Sequence, residues 1–111
     1  MNVYDKAYEL ARAIKESGEY KSFQEAKLAV EADADAKRML GDFRERQAEL
    51  QKKILAGEKP PEEEMKKMEK LSEVLMLNPL IRRYFEAERR LAVLTEDINR
   101  IVLEPLAEAL K

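Results

Sequence analysis

The chain has 111 residues, of which 45% are hydrophobic and 40% charged, and carries a net charge of −2. That is the size of one ordinary domain, with enough apolar material for a core and far more charge than a membrane protein carries. No His, Cys or Trp occurs, which excludes imidazole acid–base chemistry, thiol nucleophiles, disulfides, zinc fingers, cysteine-ligated iron–sulfur clusters and haem ligation by His.

Three Gly, four Pro, three Ser and one Thr leave little material for the tight turns of a sandwich or barrel, while Ala, Glu, Lys, Leu and Arg dominate. The composition predicts an all-α fold. A first helix is expected over 3–17, with Val3, Ala7, Leu10, Ala11 and Ile14 on one face and Gly18 as its left-handed C′ residue. Ser22-Phe23-Gln24-Glu25 has the form of a capping box and opens a second short helix over 22–32. Asp33 and Asp35 are the next N-cap candidates, before a long helix over 35–56 that contains Gly41.

Gly57-Glu58-Lys59-Pro60-Pro61 must end that helix. A fourth helix, over 61–77, carries Met65, Met68, Leu71 and Leu75. So short a connection makes the two helices an antiparallel hairpin. Asn78-Pro79 reads as a cap followed by the first helical residue. The last long helix, over 79–103, places Leu80, Tyr84, Ala87, Leu91, Leu94, Ile98 and Ile101 at alternating steps of four and three, a continuous apolar seam. Pro105 should kink or end it before a short tail over 105–110 with Leu106 and Leu110. The expected architecture is a single domain over 1–111, an antiparallel helical hairpin or bundle with a long C-terminal helix and two shorter N-terminal helices.

A helix over 79–103 is roughly 37 Å long, whereas a compact globule of this chain length is about 34 Å across. Two short N-terminal helices cover only part of the stripes on the hairpin and the long helix. The chain is therefore expected to associate with itself, as a homodimer or a higher even-numbered oligomer; a closed monomeric bundle is the alternative. The candidate contact residues are Leu40, Phe43, Leu50, Ile54, Met65, Met68, Leu80, Tyr84, Leu91, Leu94, Ile98 and Ile101. Arg82, Arg83, Arg89 and Arg90 repeat at a spacing of seven and are candidates for rim charge that orients a partner.

Other features read as structural. Glu62-Glu63-Glu64 falls in the first turn of a helix, where negative charge suits the macrodipole, and consecutive helical residues diverge too far to converge on a cation. Glu86 and Glu88 lie between the arginine pairs, which suits ion pairing better than a ladder of phosphates. The aromatic and Met residues fall mostly on apolar stripes, although Tyr4 and Tyr8 could form an exposed strip and the methionines an adaptable groove. Gly41 allows either a close helix approach or a bend. Asp5, Lys6 and Glu9 near the start interrupt any secretory apolar core, and no uncharged apolar run nears the roughly 18 residues of a membrane span. A cytoplasmic protein is expected, with no membrane contact.

Several of these segments resemble the YlbF/YmcA family of small helical Firmicutes proteins, and its YheA-like branch most of all. They are Asn2-Val3-Tyr4-Asp5 with Ala7 and Leu10, Phe43-Arg44, Gln47-x-x-Leu50-Gln51, the Gly57 to Pro61 turn followed by acids, and Ala87-Glu88-Arg89 through Asn99, Ile101 and Pro105-Leu106. The resemblance implies an all-helical, oligomer-forming cytoplasmic protein without enzymatic activity. Its better-studied members are regulatory partners in competence, biofilm formation and sporulation and associate with the RNA-decay machinery. Some form a complex carrying iron–sulfur clusters; a chain without Cys cannot supply thiolates to one.

The functional expectation is thus a non-enzymatic regulatory or scaffolding protein that binds itself and an unidentified protein partner, with no cofactor, no metal and no catalytic residue. RNA binding by a charge-segregated basic face is the alternative, and the balanced charge disfavours it.

Overall fold

In the computed structural model, which describes residues 2–111, the chain forms five helices and no strand among the described residues. Helix α1 spans Val3–Glu16, and Asn2 caps it by accepting the Tyr4 N–H at 2.8 Å. Helix α2 spans Gly18–Glu31, four residues longer at its start than the capping box predicts. The break falls at Ser17, whose backbone is extended. Its hydroxyl donates to the Ile14 carbonyl at 2.6 Å and accepts the Tyr20 N–H at 3.2 Å, so one side chain ends α1 and starts α2. Gly18 accordingly has no left-handed conformation, and Ser22 lies inside a helix already under way.

Helix α3 spans Ala34–Leu55, with the Asp33 carboxylate accepting the Ala36 N–H at 2.9 Å. It ends in a Schellman motif: the Glu58 N–H reaches the Lys53 carbonyl and the Gly57 N–H reaches that of Ile54. This motif needs a left-handed C′ residue, and Gly57 supplies it with φ of 80°. Helix α4 spans Glu62–Met76. The Asn78 side chain accepts the N–H groups of Leu80 and Ile81 and so caps α5, Pro79–Ala109. The expected stop near Leu103 does not occur. Pro105 lies inside α5, and the expected tail is its last turns.

The chain divides into two compact units, Ala26–Tyr84 and Met1–Glu25 with Phe85–Lys111. In the first, α3 and α4 pack as an antiparallel hairpin, because grooves between them pair Leu50 with Glu64 and Met68, and Asp42 with Leu71 and Val74. Its buried residues are Ala26, Val30, Ala36, Leu75 and Ile81, with Leu75 and Ile81 sealed completely. In the second unit Ala87 is buried, and Leu10, Ile14, Phe23, Leu91, Leu94 and Ile98 are half-buried.

Candidate interaction surfaces

Burying a large aliphatic side chain is worth about 1.5–3 kcal/mol, so apolar groups left in water show where each unit's own packing stops. In the hairpin unit the stripe residues Leu40, Phe43, Leu50, Met68, Leu80 and Tyr84 are half-buried, whereas Ile54 and Met65 are 53% and 55% exposed near the α3–α4 turn. Leu55, Val74 and Leu77 are exposed as well. The Arg44 guanidinium sits 5.8 Å from the centre of the Tyr84 ring, within cation–π range. A groove of about 200 Å³ is lined by Val30, Leu40, Gly41 and Tyr84, with Lys27, Glu31 and Lys37 around it. A Cβ placed on Gly41 would meet no atom within 4 Å, so no close approach within the chain requires this glycine.

In the other unit the seam of α5 changes along its length. Leu91, Leu94 and Ile98 are half-buried, but Ile101, Val102, Leu103, Leu106 and Leu110 are 54–78% exposed. At about 100° per residue, the apolar arc from Ile101 to Leu110 covers about 200° of the helix. On α1, Val3, Tyr4 and Tyr8 are 67–81% exposed. Patches of this kind mark contact sites more often than free surface.

The four predicted rim arginines, Arg82, Arg83, Arg89 and Arg90, are exposed. Arg82 donates to the Met76 carbonyl at 3.4 Å. Arg89 and Arg90 line a concavity of about 400 Å³ together with Glu19, Val93, Leu94 and Asp97. Acid is therefore interleaved with base in space as well as in sequence. Val93, 51% exposed between these charges, escapes a search for apolar seams because its helical neighbours are all polar.

No polar or charged side chain is buried among the described residues, and no group of three or more acidic residues there could hold a metal ion. Of the acidic triplet, Glu64 is taken up by Lys53 at 2.8 Å, while Glu62 and Glu63 are exposed. No described helix is long and apolar enough to cross a membrane.

These elements define a small all-α protein built on a helical hairpin and a long C-terminal helix. Residues 3–107 match the family model described as "Control of competence regulator ComK, YlbF/YmcA", and the chain belongs to the YlbF/YmcA family. It is 46% identical over 107 residues to a UPF0342 protein of Alkalihalophilus pseudofirmus, covering 96% of this chain and 91% of that one. A UPF0342 protein of Caldicellulosiruptor bescii is 42% identical over 105 residues, covering 95% and 88%. Among solved structures, yheA from Bacillus subtilis aligns with a TM-score of 0.71 at 29% identity, covering 98% of this chain and 99% of that one. A DUF964 protein from Bacillus stearothermophilus aligns over 98% and 96% with a TM-score of 0.90 at 23% identity, which shows the shared fold.

Proposed function

We propose that this chain is a non-enzymatic regulatory and scaffolding protein of the cytoplasm that works through helix-mediated contacts with copies of itself and with a protein partner. The observation that carries this reading is the set of five exposed aliphatic residues, Ile101, Val102, Leu103, Leu106 and Leu110, at the end of a helix whose preceding turns half-bury Leu91, Leu94 and Ile98. Membership of a family described through control of a competence regulator supports the regulatory part. Sedimentation velocity at micromolar concentration tests it. An even-numbered oligomer is the expected species, and a chain that stays monomeric overturns the self-association on which the reading rests.

A further inference from the structure

The charges on α5 are arranged antisymmetrically about Val93. Counting outward, Arg90 and Arg89 lie three and four residues before it, and Glu96 and Asp97 lie three and four residues after. Glu86, seven before, is answered by Arg100, seven after. At about 100° per residue all six lie within about 60° of the direction of Val93, on one face of the helix. All six are exposed, and Val93 is half in water at their centre. Beside them the helix borders a concavity of about 400 Å³ to which α2 contributes Glu19.

Two copies of a helix related by a two-fold axis run antiparallel when the axis crosses them, and position 93 + n of one then lies opposite 93 − n of the other. A charge pattern that changes sign about its centre is self-complementary under that operation alone. Arg89 and Arg90 meet the acids at 96 and 97 of the second copy, and Glu86 meets its Arg100. Parallel in-register pairing would instead set the two arginines against their own copies. We propose that a second copy of this chain docks antiparallel on this face of α5, with Val93 on the two-fold axis and the flanking charges fixing direction and register. The proposal rests on the self-association proposed above and adds a second surface to it, since the five exposed aliphatic residues from Ile101 to Leu110 point about 80° or more away from Val93. The exposed Asp97–Arg100 ion pair, at 3.5 Å within one chain, is weak in water and can be exchanged for the intermolecular pairing.

Charge reversal tests this directly. Arg89→Glu with Arg90→Glu makes the face acidic, and Glu96→Arg with Asp97→Arg makes it basic. Each double variant alone should associate at least tenfold more weakly than the wild type in sedimentation, with unchanged far-UV circular dichroism. An equimolar mixture of the two should recover association as a mixed oligomer. The chain carrying all four changes should recover it by itself, which keeps the test informative if a double variant folds poorly. A wild-type oligomer matched by both double variants alone, or a mixture and a fourfold variant that stay dissociated, overturns the docking face and leaves self-association standing. A wild-type monomer overturns both.

Discussion

Lys53 and Glu64 close the turn between α3 and α4 from two sides of the Gly57 to Pro61 connection. The Lys53 ammonium donates to both carboxylate oxygens of Glu64, at 2.8 and 3.0 Å, while the Lys53 carbonyl accepts the Glu58 N–H at 2.9 Å. One residue thus holds the end of a helix through its backbone and the start of the next through its side chain.

The hydrogen bond to Glu64, aided by the charges of Glu64, Glu58 and Glu49 and opposed by desolvation, raises the Lys53 pKa above its ordinary 10.5. A lysine raised in the folded state adds stability that is complete below its unfolded pKa and is lost as pH rises through the folded value. Glu64→Gln should therefore lower the urea midpoint slightly at neutral pH. It should also reduce the loss of stability that the wild type shows above pH 10.5. Both effects should shrink with added salt, because the two side chains are 35% and 43% exposed. Equal alkaline losses in the two proteins would refute this account.

Gly57→Ala places a Cβ on a residue at φ of 80°. The open space around it brings no clash, so the cost is conformational, about 1–2 kcal/mol. Urea unfolding should show that loss with an unchanged slope.

Gly41→Ala should act in the opposite direction. The residue is mid-helix and a Cβ there touches nothing within 4 Å, so the substitution should stabilise α3 by about 1 kcal/mol. A destabilised chain, or one with weaker association, would show instead that the groove beside Leu40 and Tyr84 is filled by another polypeptide.

Leu106→Glu tests the exposed end of α5. Leu and Glu have similar helix propensities and the site is in water, so the helical content should hold and the chain's own stability should change by less than about 0.5 kcal/mol. Association should weaken at least tenfold, about 1.4 kcal/mol, in a dilution series. A variant that associates like the wild type would remove this stretch from any interface.

The elements most legible in the sequence were those whose boundaries rest on one residue's own chemistry. Asp33 and Asn78 offer an oxygen to the backbone of the next turn, and Gly57 enters the left-handed region that other residues avoid. The α1–α2 break was misplaced because two signals competed. A box at Ser22 would require that residue to leave helical geometry, whereas Ser17 satisfies donors and acceptors on both sides and lets Gly18 start the helix. Of the two outcomes that Pro105 allows, a kink or an end, the end does not occur: its ring fixes a helical φ, and α5 continues through it. The apolar seam of α5 was readable from spacing, but where its cover ends was not, since exposure at Ile101 depends on what packs beside it. Val93 lay outside every apolar pattern, and only the sign reversal of the charges around it marks its position.

Proline at position 105 brings no N–H, so the Ile101 carbonyl receives no α-helical partner from it. The closing turns of α5 are therefore tied to the rest by one strand of the ladder fewer, and amide exchange should be fastest there. In the self-association proposed above, a segment held this way has to be ordered each time it docks, so warming should loosen the association before it unfolds the subunit.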